Sequence, residues 1–409
     1  MDASLGKIGS RPLEKLRAHF RSELFEQIIP LWESGGIDHE FGGYLPYRNK
    51  DGTYASFEKR LYHQGRVLWL FSYFYNHFGR KTIHLEAARQ GKEALTRNAL
   101  AANGRWYARL SRDWKPAEGE YDIFADIYMI LGLGEYFRAS GDEEAWRLAV
   151  DTTYAVSRTI LSPHYQGRGV GARFEPGIRQ LGVWLHFLSA LTPLLKYREE
   201  PGVERIARIC MRFILGHHWQ KERGFAFEFL DRDGMPFADD YLSLQNQPGD
   251  DYFSDGKRLL LRFVSSWHCL QAAWMAMEEA VRIGDRRSFM DGRALGYGIL
   301  DKAWEGGRDG GFLEFETPEG WKKTRGSGGK PTGSLSEGLV FTLLVFKHTG
   351  SSVAAEWFDK IFKCAYGKPD RWDRMDTLHQ PRGVMFGLQI LDRIIERRGK
   401  ISQFLGVSK

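Results

Sequence analysis

The chain has 409 residues, room for two or three ordinary domains or one large closed architecture, and 43% of them are hydrophobic, enough for a sizeable core. Its 58 Lys and Arg are scattered among 52 Asp and Glu for a net charge of +6, with no basic tract and no basic face interleaved with aromatics, which argues against a nucleic-acid partner and leaves room for a pocket that takes an acidic small molecule. Cys210, Cys269 and Cys364 have neither metal spacing nor even pairing, residues 1–20 lack a signal-type apolar stretch, and no later run is long enough to span a membrane; the expectation is a soluble cytoplasmic protein without membrane contact.

Helical periodicity dominates. In chain order it predicts twelve helices, at about residues 12–34, 59–79, 82–101, 121–139, 142–162, 180–199, 202–219, 258–282, 286–305, 333–349, 351–367 and 381–398. Several are apolar around much of their circumference, as in RVLWLFSYFYNHF and SLSEGLVFTLLVF, so they pack against neighbours on more than one side. Four connections share a Gly–aromatic start and short alternation: DHEFGGYLPYRNKDGTY (38–54), the looser NGRWYARLSRDW (103–114), ERGFAFEFLDRDGMP (222–236) and DGGFLEFETPEGW (309–321). Alternation that ends in a D/E-G turn predicts a short hairpin. Helix pairs joined on one side by hairpins fit an all-α fold, an (α/α)6 barrel with six inner and six outer helices and the hairpins on one rim. No Pro-, Gly- or Ser-rich linker divides the chain, which predicts one domain over residues 1–409. The one long loop, DDYLSLQNQPGDDYFSDG (239–256), has the length of a lid or contact surface.

Phosphate loops, a dinucleotide fingerprint, HExxH and CxxC are all missing, so neither a cofactor nor a metal is expected. His217 and His218 are adjacent, about 100° apart on a helix, which is unsuited to joint ligation. What stands out is a set of polar residues inside apolar helices: Arg66, His186, His268, Glu337, and His379 with Arg382. Each alone fits a satisfied core side chain. Together they fall on the second, sixth, eighth, tenth and twelfth predicted helices, and alternation of outer and inner helices puts every one on the inner ring. Three histidines and an arginine around an aromatic cavity suit removal of a proton beside a carbonyl, because imidazole serves as base and then acid near neutral pH. A fixed guanidinium such as Arg66 stabilises the resulting enediolate.

At these residues the sequence resembles the N-acylglucosamine 2-epimerase family, which includes cellobiose 2-epimerases and mannose isomerases, over about residues 38–392. The segments that carry the resemblance are HQGRVLW (63–69), FADIYMILGLGEYFRASGD (124–142), RQLGVWLHFLSAL (179–191), WHCLQAAW (267–274) and LHQPRG (378–383). The resemblance implies an (α/α)6 barrel and a small-molecule sugar substrate. It makes His268 and His379 the pair that removes and returns a proton at C2, with return to C1 giving a ketose. It links His186 to ring opening and places Arg66 in the pocket. Tyr62, Asp126, Trp184, Gln271, Glu337, Trp372 and Arg382 complete the expected substrate-binding set, in a monomer or homodimer. The family's glutamate three residues after the catalytic histidine is Gln271 here, and another is Ser189, so the expectation is a His268 oriented by an amide. Two alternatives stay open: a hydrolase of the same fold acting through Asp122, Asp126 or Glu337, and a non-catalytic sugar-binding member.

Overall fold

The computed structural model describes residues 6–46, 53–54, 56–116, 121–169, 172–173, 176–237, 264–305, 311–313, 315–317, 320–322, 332–367 and 379–405. Two kinds of helix alternate along them. Ile123–Ser140 is buried along nearly its whole length, whereas Glu143–Leu161 buries a single stripe that includes Ala145, Ala149, Thr152, Val156 and Ile160. A helix apolar all round belongs inside, and one with a single apolar stripe covers it.

In chain order the helices are α1 (residues 13–35, with a π-helical turn at Glu23–Ile28), α2 (Leu61–His77), α3 (Thr82–Asn98), α4 (Ile123–Ser140) and α5 (Glu143–Leu161). They continue with α6 (Leu181–Tyr197), α7 (Pro201–Arg212, prolonged by a π-helical turn at Phe213–His218), α8 (Ser266–Ile283) and α9 (Arg286–Ala303). The last three are α10 (Thr332–Thr349), α11 (Ser352–Tyr366) and α12 (His379–Glu396). Contacts run from α2 through α4, α6, α8 and α10 to α12. The ring closes where Phe386 of α12 packs on Trp69 and Tyr73 of α2, and the Tyr73 hydroxyl donates to Gln389 Oε1 at 2.7 Å. The odd-numbered helices form the outer layer. This is the (α/α)6 barrel expected.

Connections differ at the two ends, and that difference positions the site. Inner helices pass to outer ones through tight turns: Gly141 with φ +73° leads to Asp142, which caps α5, and Gly284 with φ +75° leads to Asp285, which caps α9. Every long connection therefore lies at the other end, where the inner helices begin. There the strands pair around the rim. Lys59–Arg60, just before α2, pairs with Arg109–Leu110, Arg179–Gln180 before α6 pairs with Phe229–Leu230, and Val264–Ser265 before α8 pairs with Phe315–Glu316.

These pairings correct the expectation of four self-contained hairpins. Only 309–321 contains its own ladder, between Phe315–Thr317 and Gly320–Lys322, among the described residues. In 103–114 and 222–236, Arg109–Leu110 and Phe229–Leu230 pair with a neighbouring connection, while 38–54 closes on itself through the Asp38 and Gly43 backbone and an Ile37–Tyr44 bridge. The eighth helix also starts later than the predicted 258: Val264–Ser265 is strand, and the Ser265 hydroxyl caps the His268 amide at 3.3 Å.

The inner helices α2 and α4 approach with backbone against backbone. A Cβ on Gly65 would lie 2.5 Å from the Tyr128 carbonyl oxygen, and one on Gly132 would lie 2.6 Å from the Gly65 oxygen. Gly65→Ala is expected to cost about 1–3 kcal/mol by overpacking, read as a lower midpoint in urea. An unchanged midpoint would mean that the two helices part without penalty.

Candidate active site

Because inner helices begin at the long-connection rim, their first turns surround one mouth. His268 lies in the first turn of α8. Its Nδ1 is 2.7 Å from Glu228 Oε2, a carboxylate 1% exposed that comes from the rim connection before α8. His379 opens α12, with Nδ1 2.9 Å from Glu337 Oε1 and its ring stacked on Trp267 at 5.0 Å. An ionised carboxylate only accepts, so each Nδ1 carries the hydrogen and Nε2 is the basic nitrogen of each ring.

Glu337, on α10, is the most heavily bonded of these groups. It accepts from Arg382, from Trp274 Nε1 at 2.7 Å, from His379 and from Gln271 Nε2 at 3.1 Å. Burial pushes its carboxyl up, but Arg382, His379 and Trp274 together outweigh burial and hold it at about 2. It is a fixed anion at neutral pH.

The third imidazole differs. Arg66 donates to the Tyr128 hydroxyl at 2.8 Å, so the single Tyr128 proton goes to His186 Nδ1, 3.1 Å away. His186 then carries its own hydrogen on Nε2. Burial first, and then the charges of His268, Arg66, Arg382 and His379, hold His186 well below the ordinary imidazole value. It is a neutral donor, packed edge-to-face on His268 at 5.7 Å. The Arg66 guanidinium lies over the rings of Tyr128 and Tyr62, at 4.2 and 5.1 Å.

The site thus unites Arg66, Tyr62, His186, His268, Gln271, Glu337, His379 and Arg382. Two predicted members fall elsewhere. Trp184 is two residues from His186, hence on the opposite side of α6, where it stacks flat on Phe213 of the outer layer at 4.0 Å. Asp126 is wholly buried, bonded to Arg105 Nε at 2.5 Å and the Trp106 amide at 3.0 Å, and ties the 103–116 connection to α4; burial raises its carboxyl to about 6. Trp372 and the 239–256 loop lie outside the described residues. Ser189 bonds back to the His186 carbonyl of its own helix at 2.7 Å. His217 and His218 diverge as expected, with His218 Nδ1 on the Phe227 carbonyl at 2.8 Å.

Gln271 requires a correction of another kind. It was expected beside His268, yet its amide faces Glu337 and, at 3.4 Å, His379 Nδ1. The physical reason is that Glu228 already occupies His268 Nδ1, and position 271 looks toward α10. Gln271→Glu is therefore expected to set a second buried carboxylate against Glu337 and destabilise the fold by roughly 1–3 kcal/mol, read by thermal unfolding. A variant of unchanged stability and higher activity would instead place position 271 against His268.

Sequence reasoning missed Glu228, Tyr128, Trp267 and Trp274. For Glu228 a signal existed: in FAFEFL it is the one charge on the face shared by Ala226 and Leu230, both fully buried. Beneath the cluster, a cavity of about 390 Å³ runs from Arg382 and Trp274 to Glu135, Lys196 and Arg393 at the opposite end of the barrel. The paired imidazoles lie at the rim, above it.

Carboxylate-backed histidines thus stand at the start of two inner helices of an (α/α)6 barrel. Residues 42–287 match the family model described as N-acylglucosamine 2-epimerase (GlcNAc 2-epimerase), and the chain belongs to that family. It is similar to N-acylglucosamine 2-epimerase of Mus musculus, 24% identical over 356 residues that cover 82% of this chain and 77% of the mouse protein. Its fold is similar to that of cellobiose 2-epimerase from Spirochaeta thermophila, with TM-score 0.76, 16% identity, and 94% and 98% of the two chains covered. A D-mannose isomerase gives TM-score 0.68 at 13% identity, covering 94% and 97%. Family membership makes the chain a carbohydrate epimerase or isomerase.

Proposed function

We propose that the chain, acting as one catalytic domain, interconverts free reducing sugars by moving a proton at the carbon beside the carbonyl, with His268 and His379 as the exchanging groups. One observation carries this reading: each imidazole is backed through Nδ1 by a buried carboxylate, within a cluster that also holds a neutral histidine and a guanidinium. The His186 Nε2–H assists ring opening by donating to the sugar oxygen. One Nε2 then takes the C2 proton, the C–H electron pair becomes the C1–C2 double bond, and the carbonyl electrons settle on oxygen. Arg66 and His186 hold that enediolate oxygen. The other imidazole, protonated, returns a proton to the opposite face of C2 and gives the epimer; delivery to C1 gives the ketose. The carboxylate behind each ring favours the imidazolium that forms in turn.

The hydrolase alternative needs two carboxyl groups across the bond, one of them protonated. Glu337 is held ionised at about 2 and surrounded by donors, and Asp126 is sealed behind Arg105. Neither suits that task. Cys210 and Cys269 are buried thiols outside any disulfide, in keeping with a reducing compartment such as the cytoplasm, where the chain acts as a monomer or homodimer.

The test is incubation with a panel of aldoses, reducing disaccharides and acidic sugars, with products resolved by NMR. The expected result is a C2 epimer or a ketose from at least one sugar, and no reaction of the matching alditol, which lacks a carbonyl. Cleavage of a glycosidic bond with C2 unchanged would overturn the reading.

A further inference from the structure

We infer that Glu228 is the positioning carboxylate of His268, supplied from the rim in place of one on the histidine's own helix, and that it locks the starts of α6 and α8 into one catalytic geometry. The inference deepens the proton-transfer reading and rests on it for the consequence in turnover, though not for the contact itself. Gln271, three residues after His268, is turned to Glu337 and leaves Nδ1 of His268 to another partner. Glu228 reaches that nitrogen at 2.7 Å with Oε2, while its Oε1 accepts from the Gly182 amide at 3.1 Å and its carbonyl accepts from Leu181 at 2.8 Å. Leu181 and Gly182 begin α6, where unsatisfied amides and the helix dipole favour an anion. The carboxylate is thereby fixed before it meets the imidazole.

Gly182 supports the same arrangement. A Cβ there would lie 3.1 Å from Glu228 Oε1 and 3.1 Å from His268 Cε1, so the bare backbone makes the close approach of carboxylate and ring to α6 achievable. The flanking strands hold Glu228 from both sides: Phe225–Ala226 pairs with Trp219–Gln220, and Phe229–Leu230 pairs with Arg179–Gln180. The two imidazoles are backed unequally. Glu337 shares its charge with Arg382, Trp274 and Gln271 as well as His379, whereas the Glu228 side chain bonds His268 and the Gly182 amide. The other charged or titratable groups of the cluster are Arg66 of α2, the neutral His186 of α6, Glu337 of α10, and His379 and Arg382 of α12. Arg66 bonds Tyr128 and Glu337 bonds His379 and Arg382, while the carboxylate at His268 Nδ1 is that of Glu228.

Glu228→Gln keeps an acceptor and removes the charge. It is expected to lower kcat about 10- to 100-fold with KM changed less than about threefold, and to move the acidic limb of kcat/KM to lower pH, because imidazolium loses its counter-ion. Gln271→Glu added to this variant is expected to restore nothing. Gly182→Ala is expected to give a milder loss in kcat of the same kind through displacement of the pair, and it serves if Glu228→Gln fails to fold. Nitrogen-15 spectra of labelled histidine read the contact without any substrate: the His268 signal should shift in Glu228→Gln and Gly182→Ala but not in Gln271→Glu. If no sugar reacts yet those shifts appear, the contact stands and the proton-transfer reading fails. Full activity with an unchanged pH profile in Glu228→Gln, an unshifted His268 signal, or restoration by Gln271→Glu would overturn the inference.

Discussion

Asparagine at His268 or at His379 is expected to lower turnover at least ~10²-fold, the ordinary contribution of a general acid–base group, with the fold unchanged. The reason is geometric. The Asn amide can still donate to Glu228 or Glu337, as Nδ1 does at 2.7 and 2.9 Å, but it offers no basic atom where Nε2 was. Steady-state kinetics with circular dichroism as the control for folding decides it. Full activity in either variant would remove that histidine from the reaction. A loss confined to one would favour ketose formation through a single base over two-sided epimerisation.

A large loss of stability is also expected on mild acidification. His63 and His218 are fully buried and held down to about 4, His348 to about 3, and His186 well below the ordinary value, with burial the leading cause in each. These rings stay neutral when folded, while in the unfolded chain they take up protons around pH 6.5. Between about pH 6.5 and 4 the unfolded state therefore binds more protons, so their contribution is fully present above 6.5 and lost as pH falls. One pH unit corresponds to about 1.4 kcal/mol per ring. Asp126, raised to about 6, works in the opposite direction over part of that range. The net expectation from pH 7 to pH 5 is a loss on the order of 5 kcal/mol, read as a falling urea midpoint. A midpoint constant over that range would mean that these rings are protonated or solvated in the folded chain.

Much of the architecture was legible because it follows from one repeated contrast. Helices such as α4 and α10 are apolar all round, their outer neighbours on one stripe, and alternation of the two dictates rings. The convergence of Arg66, His186, His268, Glu337 and His379 followed from the parity of their helices. Direction around a helix was harder to read. Trp184 and His186 lie two residues apart on α6, yet one stacks on the outer layer and the other meets Tyr128 and His268 in the site. Gln271 was assigned to its helical neighbour, but the space between α8 and α10 decides its partner. The alternation in FAFEFL marks Glu228 as a buried charge but does not name its partner: it lies forty positions before His268, and the ladder between Arg179–Gln180 and Phe229–Leu230 brings it there. The rim pairings escaped for the same reason, since alternation marks a strand without naming its partner.

Proton transfer between two carboxylate-backed imidazoles is tested most directly by turnover in D2O, with the C2 position of the product followed by NMR. A two-sided mechanism breaks the original C2–H bond and delivers a new hydrogen from an imidazole that has exchanged with solvent. The wild-type epimer should carry deuterium at C2, the ketose, if formed, at C1, and both signals should vanish with His268→Asn and His379→Asn together. An epimer that retains its original C2 hydrogen would contradict proton exchange at these histidines.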